Sequence, residues 1–98
     1  WVQAYLKRLE IQNISAYVTA HGDDHSGAIL IKVIKMDGSA QLYQKTFDLQ
    51  NNRNAWVKIL EGLDMEIDTL LEKQKVNDPD LWVVEVESAS GQNFLDEF

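Results

Sequence analysis

The spacing of apolar positions divides the chain into helical and extended segments. Val2, Tyr5, Leu6 and Leu9 recur at the three- and four-residue intervals of one helix face, with Lys7, Arg8 and Glu10 largely opposite. This predicts an amphipathic helix over 1–13 that Asn13 terminates. From Ile14 to Ala20, Ser15, Tyr17 and Thr19 alternate with Ala16, Val18 and Ala20, which predicts a first strand. Residues 21–27 read as a loop, because Gly22, Gly27, Asp23 and Asp24 suit positive φ angles and local side-chain hydrogen bonds.

The segment 28–36 is the strongest strand. Ile29, Ile31 and Val33 share one face, and Leu30 and Ile34 the other, with Lys32 between them. A strand apolar on both faces belongs at the centre of a sheet covered on both sides. Asp37-Gly38 predicts a two-residue hairpin turn. Met36 then opposes Ser39, Val33 faces Leu42, Lys32 faces Tyr43 and Lys45 opposes Leu30, with 40–47 as the returning strand. Residues 48–54 form a polar loop.

The next segment admits two readings. Trp56, Ile59, Leu60, Leu63, Ile67, Leu70 and Leu71 fit one long helix. Gly62 opposes that, at about 1 kcal/mol relative to alanine inside a helix. Asp64 suits a helix N-cap, and Glu66 and Asp68 a first turn. The preferred reading is a short strand over 55–61, then a helix over 65–76. Pro79 marks the boundary that follows. Residues 81–87 form a strand with Trp82, Val84 and Val86 on one face and Leu81, Val83, Glu85 and Glu87 on the other. A turn over 88–91 leads to an expected short edge strand over 92–95. The fold class is α+β: a mainly antiparallel sheet of about five strands with two helices, in the order helix-strand-strand-strand-strand-helix-strand.

Length and composition fit one domain over 1–98, with 45% apolar and 26% charged residues. The chain contains no cysteine, which removes disulfides, thiol catalysis and thiolate zinc sites. The longest apolar run, 28–34, is interrupted by Lys32 and falls far short of the roughly 20 residues of a membrane helix. No signal-peptide pattern opens the chain. A chain without disulfide staples is expected in the cytoplasm, with no membrane partner. The first residue is Trp1 rather than methionine, so the natural start is expected upstream.

Several stretches, taken in order, carry a resemblance. They are Trp1-Val2-Gln3-Ala4-Tyr5-Leu6-Lys7-Arg8; Gly22-Asp23 with Gly27-Ala28; Asp37-Gly38 with Leu42-Tyr43; and Asp78-Pro79-Asp80-Leu81-Trp82-Val83-Val84-Glu85, followed by Gly91 and Phe94-Leu95. In this order and spacing the chain resembles a family of small alphaproteobacterial proteins of unknown function, domain of unknown function number fourteen ninety-one. The resemblance covers nearly the whole chain. It implies a stand-alone cytoplasmic bacterial domain and supplies no activity. His21 and His25 fall outside the family pattern.

Four constellations could carry chemistry. His21, Asp23, Asp24 and His25 are imidazole and carboxylate groups that suit zinc or manganese, although such groups within five residues of one loop more often form a solvated turn. The net charge of −7 is unevenly spread: residues 61–98 carry −9 and residues 1–60 carry +2. Within the acidic part, Asp78, Asp80, Glu85 and Glu87 could bind a divalent cation or perform acid/base work, or form a solvated face. Trp1, Tyr5, Tyr43, Trp56 and Trp82 suit an interface or a core, and the interaction candidates are Trp1, Tyr5 and Trp82 together with the acids Asp78, Asp80, Glu85 and Glu87. Lys32, Lys35, Lys45, Arg53 and Lys58 suggest a modest basic patch, with Lys32 and Lys45 on one face of the hairpin. The overall sign disfavours nucleic acid, and no phosphate-binding loop is present. No cofactor is called for. The expectation is a non-enzymatic interaction module that forms a homodimer or binds another protein. The alternative is a small-ligand or divalent-metal-binding protein, or an enzyme, using the acids of 78–87.

Overall fold

The computed structural model describes residues 1–25 and 27–95. Ser26 of the predicted loop, and Asp96 and Glu97 of the acidic part, lie outside the described residues. The chain forms α1 (Val2–Ile11), β1 (Ser15–Ala20), β2 (Ile29–Ile34), β3 (Ser39–Asp48), β4 (Arg53–Leu63), α2 (Asp64–Asn77) and β5 (Trp82–Glu87). The strands make one sheet in the order β1-β5-β2-β3-β4. All pairings are antiparallel except β2 with β5, so the expected α+β class and element order hold.

One helix covers each face. Against α1 pack Tyr5 and Leu9 with Ile31, Val33, Val84 and Val86. Against α2 pack Ile67 and Leu71 with Leu30, Ala40, Leu42 and Val83. This explains why β2 is apolar on both sides: it is the central strand of a covered sheet. Asn13 ends α1 as expected. It takes φ 59°, its N–H bonds to Glu10 O at 3.0 Å, and Ile14 N–H reaches Leu9 O at 2.9 Å. That is a Schellman cap, with Ile14 joining Leu9 in the same core.

The hairpin departs from expectation by one residue. Lys35 N–H bonds to Ser39 O at 2.8 Å, so the loop is Met36-Asp37-Gly38, with Gly38 at φ 85°. The Asp37 carboxylate accepts from Ser39 N at 2.9 Å and from its hydroxyl at 2.6 Å, which holds the three-residue turn. Lys32 therefore opposes Leu42, and Val33 opposes Gln41. Burial decides the register: Ala40 and Leu42 now lie beneath α2, and Tyr43 opposes Ile31 on the α1 side. Lys45 accordingly sits over the Trp1 ring on the α1 side, while Lys32 points to α2. The expected shared face of Lys32 and Lys45 does not form.

Three further boundaries differ. β4 runs 11 residues, longer than predicted, with Gly62 inside it opposite Ala40. Asp64 is not the N-cap of α2; Leu63 takes that place in an extended conformation, without a capping side chain. The Asp64 N–H bonds to Gly38 O at 3.2 Å, and its carboxylate is drawn to Lys32. Residues 92–95 do not form an edge strand. They cross the α1 side, where Leu95 is buried and Asn93 O accepts the Tyr5 hydroxyl at 2.8 Å. Both sides of β5 are already occupied, by β1 and β2, so no edge is open there.

Candidate functional site

β1 and β2 follow one another in the chain but are separated in the sheet by β5. The loop between them must straddle the start of β5, and this sets its chemistry. Asp23 N–H bonds to Asp80 O at 3.1 Å, Trp82 N–H to Ala28 O at 2.8 Å, and Trp82 Nε1–H to Asp23 O at 2.8 Å. A Cβ on Gly22 or on Gly27 would stand 2.1 Å from Asp80 O, a contact no side chain tolerates. The two glycines therefore clamp the incoming strand. The His21 ring lies 4.0 Å from the Trp82 ring, and the His25 N–H bonds to Asp23 Oδ2 at 3.2 Å. A cleft of about 440 Å³ opens beside the loop, lined by Trp1, Gln3, His21, Asp23, His25 and Trp82 among others. Among the described residues, no group of three or more His, Cys, Asp or Glu side chains gathers around a point that could hold a metal ion.

The acids of 78–87 do not converge either. Asp78 Oδ1 accepts from Asp80 N at 3.1 Å, shaping the turn before β5. Glu87 ends β5, and an extended segment of that length places it on the order of 20 Å from Asp80. Glu85 turns toward α2 and lies 3.4 Å from Lys32 Nζ. Lys32 is 1% exposed. Its ammonium donates to Asp64 Oδ1 at 2.6 Å and also to Asp68 Oδ1, one helical turn further on. Burial alone would push the Lys32 ammonium down, but the hydrogen bonds to Asp64 and Asp68 and the charge of Glu85 outweigh it and hold it above the ordinary lysine range. This cluster fastens α2 to the central strand. Its sequence signal was a lysine within an apolar strand, together with two aspartates four apart on a helix.

The aromatic candidates have different fates. Tyr5, an interaction candidate by sequence, is fully buried in the core beside α1. Burial pushes its phenol well above the usual tyrosine range, with Tyr43 adding to the shift. Trp1 stays on the rim, its ring 5.0 Å from Tyr5 and 4.9 Å from Trp56. Trp82 is half-buried under the loop.

The most exposed apolar strand surface lies on β4, where the sequence reading was divided between strand and helix. β4 pairs with β3 on one side and forms an edge of the sheet on the other. Val57 is 45% exposed, Ile59 46%, Leu60 38% and Leu63 59%. The register with β3 slips between Leu42 and Tyr43, which pair with Leu60 and Lys58 and leave Ile59 as a bulge. The bulge brings Lys58 and Glu61 to one face, Nζ to Oε2 2.9 Å, and Gln41 Nε2 donates to Glu61 Oε1 at 3.3 Å. Each charge steadies the other: the hydrogen bond holds Lys58 above its ordinary range and Glu61 below.

Comparison with known proteins gives a consistent picture. The family model described as protein of unknown function (DUF1491) matches residues 1–96. The crystal structure of a DUF1491 family protein from Caulobacter crescentus CB15 is similar at a TM-score of 0.87 and 31% identity, covering 97% of this chain and 90% of that one. An NMR structure of a DUF1491 family protein from the same organism matches at a TM-score of 0.82 and 31% identity, covering 97% and 87%. The solution structure of protein Atu0922 from A. tumefaciens matches at 0.73 and 30% identity, covering 89% and 80%. None of the curated proteins matches the chain. No helix among the described residues is long and apolar enough to cross a membrane.

Proposed function

Because the chain belongs to the DUF1491 family, described as protein of unknown function, we propose from its own geometry that it is a non-enzymatic protein-interaction module that self-associates. The observation that carries this reading is the open edge of β4, an 11-residue strand with Val57, Ile59, Leu60 and Leu63 exposed along it. An edge strand presents unpaired backbone N–H and C=O groups, and apolar side chains beside them favour a further strand. Two of the four acids of 78–87 are engaged elsewhere: Glu85 with Lys32, and Asp78 within its own turn. A cytoplasmic setting suits a cysteine-free chain of this kind. Sedimentation velocity across the micromolar range tests the reading. Concentration-dependent dimer formation is expected, and a strict monomer at high micromolar concentration removes self-association.

A further inference from the structure

The β4 edge has two unlike sides. Val57 and Leu60 pair with Gln44 and Leu42 on the α2 side, and Ile59 joins them beside Leu42 and Leu70. Lys58 and Glu61 pair with Tyr43 and Gln41 on the α1 side. In a regular strand, residues three apart point to opposite faces; the bulge at Ile59 is what puts these two charges together. They are the sole charged residues between Arg53 and Asp64, and they have opposite sign.

Charges on an edge normally deter pairing, because a second strand sets like against like. Parallel, in-register pairing of two β4 strands would do so, with Lys58 against Lys58. Antiparallel pairing centred between Ile59 and Leu60 does the reverse. Lys58 of each copy then opposes Glu61 of the other, Ile59 opposes Leu60, and Val57 opposes Gly62, whose missing side chain leaves room for it. The bulge makes this register self-consistent, since Lys58 and Glu61 share one face and Val57 and Gly62 the other.

We propose that the occupant of the β4 edge is β4 of a second copy of this chain, antiparallel and centred between Ile59 and Leu60. This deepens the self-association reading above and rests on it. The two five-stranded sheets become one continuous sheet, with both α2 helices on the same face. On that face the exposed Val57, Ile59 and Leu60 of the two copies meet. On the other, two Lys58–Glu61 pairs form a ring of alternating charge.

Charge reversal on the full chain tests the register. Lys58→Glu and Glu61→Lys each place two like-charge pairs across the seam, and each is expected to weaken the dimer about tenfold or more by sedimentation. The double variant K58E/E61K restores complementarity and is expected to recover most of the affinity. Both side chains are exposed, and far-UV circular dichroism checks that the fold persists. A dimer that ignores the single reversals, or that the double variant does not rescue, overturns this register while leaving self-association through another surface. A wild-type chain that stays monomeric overturns both readings.

Discussion

Lys32 Nζ lies 2.6 Å from Asp64 Oδ1, so the middle of the central strand is tied to the first residue of α2. Asp68 and Glu85 complete the set around the same ammonium. Truncating one partner of a fully buried pair typically loses about 3–5 kcal/mol, because a charge is stranded. Here the carboxylates keep some access to water, at 34%, 53% and 25% side-chain exposure for Asp64, Asp68 and Glu85. Lys32→Met is therefore expected to lose less, about 1–3 kcal/mol. Urea unfolding at neutral pH measures it, and unchanged stability would show that the ammonium does not hold α2.

The same cluster sets an alkaline limit. The Lys32 pKa is raised in the folded state, so its contribution is fully present below the ordinary lysine value of about 10.4 and is lost as pH rises through the folded pKa. The stability gap between wild type and Lys32→Met should stay constant through neutral pH and narrow at strongly alkaline pH. A gap that instead closes near pH 7 would contradict the direction of the shift.

Two glycines should respond differently to alanine. At Gly27 the added Cβ meets Asp80 O at 2.1 Å, so the loop or the start of β5 must move. At Gly38 nothing stands within 4 Å, and only φ 85° opposes the change. Gly38→Ala is expected to lose about 1 kcal/mol, and Gly27→Ala roughly 2–3 kcal/mol, by thermal or urea unfolding. Equal losses would mean that the clamp yields freely.

Tyr5→Phe keeps the ring and removes the hydroxyl that donates to Asn93 O. A loss of about 1 kcal/mol is expected. Hydrogen exchange should speed up around residues 92–95, which the bond holds against α1. In wild type, a spectrophotometric titration should show a phenol ionising well above the usual tyrosine range, a step that Tyr5→Phe removes.

A thermal-shift screen with zinc, manganese, magnesium and calcium should leave the melting temperature unchanged at millimolar metal. A saturating rise with one cation, abolished by His21→Ala or Glu85→Gln, would restore a metal-binding reading of the loop or of the acidic strand.

Legibility followed the kind of physics each segment depends on. Helices, the central strand and the polar turns are written in periodicity, and β2 between two helices was readable from Ile29 to Ile34. Turn length was not, because Asp37-Gly38 serves a two- or a three-residue loop, and only the burial of Ala40 and Leu42 under α2 selects one. The Lys32 cluster required knowing that Asp64, Asp68 and Glu85 face one strand position. From the sequence, Asp64 and Asp68 suit the start of a helix and Glu85 an acidic strand face, with nothing to join them. The β4 edge was hidden for another reason: Ile59 and Leu60 fit a helix period, and the bulge that exposes them is a property of the pair with β3.

The place of β5 bears on how the molecule is made. A strand close to the end of the described chain lies between β1 and β2, two of the first to be synthesised. On the ribosome, a nascent chain carrying β1 through β4 has one side of β2 unpaired and β1 without the strand it pairs with. Closure joins residues more than fifty positions apart, a contact pattern associated with slow folding. The interval before β5 emerges is when this protein is most open to aggregation and to chaperone capture.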